Sequence, residues 1–200
     1  MMTTALLLVV SAPSGAGKST LCNRLIERFP NMTYSVSCTT RSPRGKEKDG
    51  EHYFFLSRDE FIQRAEAGDF LEYAEVHGNL YGTLKQTVDE ALREGHDVIL
   101  DIDVQGAHQI REACASLSED DPVRRGFVDI FIAPPSMDEL RRRLCGRGTD
   151  APDVIEKRLQ NARQEMAGRA AYRHQVVNDN VDDALHRMAF LVETERRKRE

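Results

Sequence analysis

Residues 11–20 read Ser-Ala-Pro-Ser-Gly-Ala-Gly-Lys-Ser-Thr, and this stretch decides the fold of the 200-residue chain. It follows the apolar run Leu6–Val10 and precedes apolar residues at helical spacing. A strand, a glycine-rich turn with Lys-Ser and a helix form the context that a phosphate-binding loop requires. Gly15 and Gly17 allow backbone N–H groups to turn inward around phosphate oxygens, and the N-terminus of the following helix adds positive potential.

Lys18 and Ser19 carry the chemistry expected of such a loop. The lysine supplies a positive charge for the β- and γ-phosphates of a nucleotide, and the Ser19 hydroxyl is placed to bind Mg²⁺. One position departs from the G-x-x-x-x-G-K-[ST] pattern, because Ala12 stands at the first glycine. Pro13 favours an extended backbone at Ala12, and alanine adopts that backbone without strain. We therefore expect the loop to form despite the alanine.

The composition is that of a globular protein of one domain, with 40% hydrophobic and 30% charged residues. The net charge of −5 argues against a general nucleic-acid binder, which normally has a basic face. The N-terminal apolar run is too short to cross a membrane. Four cysteines without a C-x-x-C pair fit reduced thiols in the cytoplasm. We expect a cytoplasmic protein with neither nucleic acid nor membrane as a partner.

Strand and helix patterns alternate along the chain, which predicts an α/β fold with a mostly parallel sheet flanked by helices. The predicted strands lie near residues 5–11, 35–39, 53–56, 70–76, 97–101, 127–132 and 175–178. The predicted helices lie near residues 18–29, 58–67, 85–94, 104–115, 136–146, 152–171 and 181–197. Residues 35–81 are richer in turns and predict an inserted, partly antiparallel unit. Residues 116–126 are polar and contain Pro and Gly, so they predict an exposed loop.

The stretch Asp97–Asp103 is an apolar strand that ends in carboxylates. Ligands of open α/β sheets bind at the carboxyl ends of the strands, so these carboxylates would lie opposite the phosphate loop and suit a Mg²⁺ site. Asp101 and Asp103 share a face if the strand runs through both. The alternative is that they are turn or helix-cap residues.

Arg41 and Arg44 lie three residues apart around a proline turn. Two arginines held in this way can converge on one phosphate, because the guanidinium is a rigid donor fork. Tyr53 can add a phenolic hydrogen bond. The alternative is a solvated basic turn.

Glu72 interrupts an otherwise apolar strand pattern. A carboxylate that accepts two hydrogen bonds matches the adjacent N1–H and N2–H₂ donors of guanine, whereas adenine offers no such pair on that edge. The alternative is that Glu72 faces solvent.

Arginines are frequent between residues 140 and 173, around the flexible turn 146–149. On a mobile flap, such side chains can close over a transferring phosphoryl group and exclude water. Arg147 and Arg158 are the preferred candidates. The alternative for most of these arginines is an ordinary solvated helix face.

Taken in order, these motifs resemble the guanylate kinase family over essentially the whole chain. The matching stretches are residues 11–20, 37–44, 50–55, 78–83, 100–103, 133–136, 146–149 and 177–179. The phosphate loop alone is shared by many nucleotide enzymes, whereas the ordered set is specific. The resemblance implies a kinase core (1–36, 91–136 and 171–200), a GMP-binding region (37–90) and a lid (137–170).

The resemblance also implies Mg²⁺-dependent phosphoryl transfer from ATP to GMP, and to dGMP, in purine nucleotide metabolism. The implied ATP-binding residues are Ala12, Pro13, Ser14, Gly15, Ala16, Gly17, Lys18, Ser19, Thr20 and, near the adenine, Asn178. The implied GMP-binding residues are Ser37, Arg41, Arg44, Tyr53, Glu72, Tyr81, Thr83 and Asp101. The implied catalytic residues are Lys18, Arg41, Arg147 and Arg158. Ser19 would bind Mg²⁺ directly, and Asp101 and Asp103 would bind it through water.

Two other functions stay open from the sequence. A non-catalytic guanylate-kinase-like domain that binds proteins would typically have lost phosphate-loop residues, but Lys18 and Ser19 are present. A related kinase for a phosphorylated sugar would keep the loop and lack Ser37, Glu72 and the two tyrosines as a set. The sequence also leaves open a homo-oligomer.

Overall fold

The computed structural model describes residues 4–76, 78–146, 148 and 150–199. In this part of the chain the strands are β1 (Leu7–Ser11), β2 (Met32–Tyr34), β3 (Cys38–Thr39), β4 (Phe54–Phe55), β5 (Phe70–Val76), β6 (Asn79–Leu84), β7 (Asp97–Asp101), β8 (Phe127–Ala133) and β9 (His174–Val177). The helices are α1 (Lys18–Arg28), α2 (Arg58–Glu66), α3 (Lys85–Arg93), α4 (Val104–Ser116), α5 (Pro122–Gly126), α6 (Met137–Gly146), α7 (Pro152–Ala167) and α8 (Val181–Arg197), with a 3₁₀ turn at Gly168–Ala171.

The central sheet has the strand order β2-β7-β1-β8-β9, and all its neighbouring strands are parallel. Its middle strand β1 is buried on both faces, as expected when helices cover both sides of a parallel sheet. Leu8 and Val10 pack on the side of α1 and α8, whereas Leu7 and Val9 pack on the side of α3 and α4. The predicted α/β fold with a parallel sheet is confirmed.

A second sheet has the order β4-β3-β6-β5 and mixes antiparallel with parallel pairing. Helix α2 covers it through Phe61, whose ring stacks on Phe70 with the centroids 4.5 Å apart. The predicted inserted, partly antiparallel unit is therefore confirmed. This unit places β5 and β6 beside the carboxyl end of β7.

The predicted strand at residues 35–39 is confirmed only at Cys38–Thr39. Residues 35–37 connect two short strands of different sheets: Met32–Tyr34 joins the central sheet, and Cys38–Thr39 joins the inserted one. Strand β6 was not among the predicted strands. Gly82 lies within β6, where a Cβ atom would stand 3.0 Å from atoms of both Phe61 and Phe70.

The prediction of an exposed loop at 116–126 is also wrong in part, because its last five residues form α5. The Asp121 carboxylate accepts a hydrogen bond from the Val123 backbone N–H at 2.9 Å and caps this helix. Val123 is buried in the core, and a Cβ atom on Gly126 would lie 2.6 Å from the carbonyl oxygen of Ala5. A five-residue helix is too short to show helical periodicity, so only its packing reveals it.

Candidate active site

The loop between β1 and α1 has the backbone that its glycines predict. Gly15 and Gly17 have φ of +91° and +93°, in the left-handed region that favours glycine. A Cβ atom on Gly15 would lie 2.9 Å from Leu144 Cδ2, and one on Gly17 would collide with the Asn178 side-chain amide. Helix α1 has no side-chain hydrogen bond at its N-cap. The geometry is that of an anion-binding loop at a helix N-terminus.

Asp101, at the carboxyl end of β7, contacts the side chains of Lys18 and Ser19 at the start of α1. Its Oδ1 lies 2.5 Å from Lys18 Nζ, and its Oδ2 accepts a hydrogen bond from Ser19 Oγ at 2.8 Å. Lys18 Nζ also donates to the carbonyl oxygen of Ile102 at 2.7 Å. The loop lysine is thus aimed at the end of the strand beside β1, where ligands of open α/β sheets bind.

Asp103 does not share a strand face with Asp101, because β7 ends at Asp101. The Asp103 carboxylate caps α4 by accepting a hydrogen bond from the Gly106 backbone N–H at 2.8 Å. The helix-cap alternative therefore holds for Asp103. It still lines the cavity around the phosphate loop.

The donor set at this point fits a magnesium ion that arrives with a nucleotide. The Ser19 hydroxyl and the Asp101 carboxylate are hard oxygen donors 2.8 Å apart. No group of three or more acidic, histidine or cysteine side chains that could hold a metal occurs among the described residues. Mg²⁺ is usually bound by one or two carboxylates together with substrate phosphates, rather than by an all-protein cage.

Three neighbouring cavities lie at this edge of the sheet, with volumes of about 430, 200 and 370 Å³, and the third shares Ser19 with the first and Asp103 with the second. The first two share Ser37, Tyr53 and Asp101, and the first reaches Ser19. The second reaches Glu72 and is lined also by Tyr81 and Asp103. The third surrounds the loop at Ala12, Pro13, Ser14, Gly15, Gly17, Lys18, Ser19 and Thr20, with Asp103 and Glu165. The structure thus brings the candidate residues of two substrates into neighbouring cavities.

Arg41 and Arg44 differ in their surroundings. Arg41 is buried, ion-pairs with Glu47 at 2.9 Å and lies 5.3 Å from the centre of the Tyr53 ring. The hydrogen bond with Glu47 raises the pKa of Arg41 and lowers that of the Glu47 carboxyl. Arg44 is exposed, and its backbone N–H donates to Glu47 Oε2 at 2.7 Å. Glu47, which sequence reasoning missed, orients this turn.

Glu72 is buried, with 6% of its surface exposed, so the solvent-facing alternative is wrong. Its Oε1 accepts a hydrogen bond from Thr83 Oγ1 at 2.7 Å across the β5–β6 pair. Burial raises the pKa of Glu72 to about 7, and the nearby Asp103 charge acts in the same direction, against the hydrogen bond from Thr83. The carboxyl group therefore has a fixed orientation, and its ionised form is disfavoured by burial.

Replacing Glu72 with glutamine is expected to stabilise the protein above pH 7 and not at pH 4. The pKa of Glu72 is raised by folding, so this group favours the folded state at low pH, and that contribution is lost as the pH rises through about 7. Glutamine cannot ionise, and the gain at pH 8 would be at most about 3 kcal/mol. Thermal unfolding of both proteins at pH 4 and pH 8 measures the difference. An equal effect at the two pH values would contradict the buried, titrating Glu72.

The lid candidates receive different placements. Arg147 lies outside the described residues. Arg158, on α7, ion-pairs with Asp150 at 3.1 Å and is absent from the described residues that line the phosphate cavity. Helix α6 instead touches the loop, because Leu140 and Leu144 pack against Gly15. The role of Arg158 at a bound phosphate stays a prediction.

Two residues from the C-terminal part of the chain lie beside the phosphate loop or its cavity. Asn178 is buried and its Nδ2 donates to the carbonyl oxygen of Ala16 at 2.8 Å, so in this structure it holds the loop. Its position near an adenine stays a prediction. Glu165 of α7 lines the phosphate cavity, and burial raises the pKa of its carboxyl. Its place on a polar helix gave no sequence signal.

The guanylate kinase family model matches residues 4–195 of the chain. The chain belongs to the guanylate kinase family. It is 46% identical to the guanylate kinase of Geobacter metallireducens, over 95% of this chain and 89% of that protein. It is also 46% identical to the guanylate kinase of Cereibacter sphaeroides, over 98% and 89% of the two chains.

The comparison of structures also supports membership in the guanylate kinase family. The crystal structure of guanylate kinase from Anaplasma phagocytophilum superposes with a TM-score of 0.73 at 34% identity and covers 97% of this chain and 87% of that one. Membership in this family makes the protein a nucleoside monophosphate kinase, which is a phosphotransferase. Within the described residues, no helix is long and apolar enough to cross a membrane.

Proposed function

We propose that the protein transfers the γ-phosphoryl group of ATP to GMP, and to dGMP, giving ADP and GDP or dGDP. The observation that carries this proposal is the buried Glu72 carboxylate, held by Thr83 in a cavity that adjoins the phosphate loop. A guanine base can satisfy such a carboxylate with two donors, and an adenine base cannot. The guanylate kinase names of the relatives agree with it.

The acceptor of this reaction is already an anionic phosphate oxygen of GMP, so no strong general base is required. The oxygen forms a bond to the γ-phosphorus while the bond from that phosphorus to the bridging oxygen of ADP breaks. Catalysis then consists of positioning and charge neutralisation. Lys18 would neutralise phosphate charge, and Arg41 and Arg44 would hold the acceptor phosphate. The lid arginines Arg147 and Arg158 would close over the transferring group.

The proposal includes a magnesium ion bound with ATP. Ser19 would hold it directly, and Asp101 and Asp103 would hold it through water. When bound, the ion supplies positive charge to the β- and γ-phosphate oxygens.

The cellular setting that we propose is the cytoplasm, in purine nucleotide metabolism and the recycling of GMP.

A coupled assay of ADP release with GMP, dGMP, AMP and ribose 5-phosphate as acceptors tests the proposal. We expect turnover with GMP and dGMP and at least about 10²-fold lower kcat/KM with AMP. Turnover with ribose 5-phosphate and none with GMP would contradict the proposal and identify a related sugar-phosphate kinase. ATP binding without any turnover, measured by calorimetry, would favour the non-catalytic domain.

Replacing Arg44 with alanine is expected to raise the KM for GMP about 10- to 100-fold and to leave the KM for ATP nearly unchanged. A charge-assisted hydrogen bond to phosphate contributes about 1.5–3 kcal/mol. Arg44 is exposed, so its loss should not perturb the core. Arg64→Ala, on α2 of the same region, is the matched control. Equal increases in the KM for GMP and the KM for ATP would show that Arg44 does not bind the acceptor phosphate.

A further inference from the structure

Helix α4 begins against the side chain of Glu72, and Gly106 is the point of contact. Gly106 is the third residue of this helix and is buried. A Cβ atom on Gly106 would stand 2.7 Å from Glu72 Oε2 and 3.2 Å from Glu72 Cδ. It would also stand 3.3 Å from Ile102 Cδ1. The first distance is shorter than a carbon–oxygen van der Waals contact allows, so any side chain here must displace something.

Hydrogen bonds fix the position of helix α4 relative to β5, so the helix cannot shift to accommodate a side chain at Gly106. One turn along, Gln109 pairs with the backbone of Tyr73, the residue after Glu72 in β5. Gln109 Oε1 accepts from the Tyr73 N–H at 3.0 Å, and Gln109 Nε2 donates to the Tyr73 carbonyl oxygen at 2.9 Å. The Asp103 carboxylate fixes the Gly106 N–H at the helix start. These hydrogen bonds fix the distance between α4 and β5 beside Glu72.

The Glu72 side chain has little freedom on its other side. Its Oε1 is bound to Thr83, and the residue is buried within the strand pair. Oε2 faces Gly106, so a new methyl group there would turn the carboxylate away from its present orientation. Glycine weakens a helix relative to alanine, so its presence inside α4 indicates a compensating role.

We propose that Gly106 is a specificity-determining positioning residue of the guanine site, which acts by leaving room for the Glu72 carboxylate. The inference rests on the proposed function, in which that carboxylate reads guanine. Asp103 separates the cavity at Glu72 from the cavity at Lys18 and the phosphate loop, so this role of Gly106 does not involve ATP binding.

The test is Gly106→Ala, assayed with GMP, AMP and ATP. We expect a rise of about tenfold or more in the KM for GMP, a smaller change in kcat at saturating GMP, and an unchanged KM for ATP. Gln105→Ala is the matched control, because Gln105 is the exposed residue that precedes Gly106 on the same helix. This control should behave like the wild type.

A second measurement separates the clash with Glu72 from general damage to the helix. Thermal unfolding should show that Gly106→Ala lowers Tm in the wild-type background and raises it in the Glu72→Ala background, where the helix propensity of alanine is gained without the clash. The Glu72→Ala background also keeps the test valid if Gly106→Ala alone folds poorly, because the double variant should then refold.

The outcomes are distinguishable. An active wild type whose Gly106→Ala variant keeps its KM for GMP within twofold would overturn this inference alone. A fall in Tm of the same size in both backgrounds would also overturn it, since the helix rather than Glu72 would then be the cause. A wild type that does not phosphorylate GMP would overturn the proposed function and, with it, this role of Gly106.

Discussion

Replacing Lys18 with alanine is expected to lower kcat by at least about 10²- to 10³-fold, with a smaller effect on the binding of GMP. A positioned cation that neutralises charge in the transition state typically contributes a factor of this size. Lys18 is aimed at the strand end by Asp101 and by the Ile102 carbonyl oxygen, so its ammonium group is already oriented before a nucleotide binds. A preoriented charge stabilises the transferring phosphoryl group without reorganisation.

The fold should survive this change. The Asp101 side chain is 22% exposed, so water can replace the lost ammonium group, and Ser19 Oγ still donates to Oδ2. Steady-state kinetics with ATP and GMP measure kcat, and far-ultraviolet circular dichroism reports the fold. Lys157→Ala, an exposed lysine of α7, is the matched control. Turnover of Lys18→Ala near that of the wild type would refute the assigned role of Lys18.

Replacing Glu72 with glutamine is expected to lower kcat/KM for GMP by at least about 10²-fold and to leave the KM for ATP nearly unchanged. The amide offers one acceptor where the carboxylate offers two, and it adds an N–H₂ donor that faces the donors of guanine. Since Oε1 also accepts from Thr83, the glutamine oxygen cannot serve both partners as the carboxylate does. Discrimination between GMP and AMP should therefore shrink.

The same site predicts a pH dependence for GMP. The pKa of Glu72 is raised to about 7 by burial, so the fraction of ionised acceptor falls as the pH drops below 7. We expect the KM for GMP to rise more steeply between pH 7.5 and pH 5.5 in the wild type than in Glu72→Gln, because the phosphate of GMP also gains a proton in this range in both proteins. An unchanged kcat/KM for GMP in the variant would count decisively against Glu72 as the guanine reader.

Glu47 and Gly106 show why part of the site could not be predicted. Glu47 follows a basic turn and has the pattern of a surface residue, yet it captures the Arg41 guanidinium. Gly106 follows a helix start in which glycine has no local advantage, and only the approach of β5 explains it. In both cases the role of the residue follows from a contact with another side chain, and the periodicity of apolar residues does not predict that contact.

The sequence by itself determined the phosphate loop, the parallel core and the inserted sheet. A strand, a glycine turn and a helix that are contiguous in the chain are specified by local backbone preferences and by the period of their apolar residues. The tertiary structure alone decided which side chains meet. It brought Asp101 to Lys18 across more than eighty residues and buried Glu72 against Thr83 and Gly106. Burial and the choice of partner depend on tertiary packing. That packing raises the pKa of Glu72, a carboxyl for which the sequence left a solvent-facing position open.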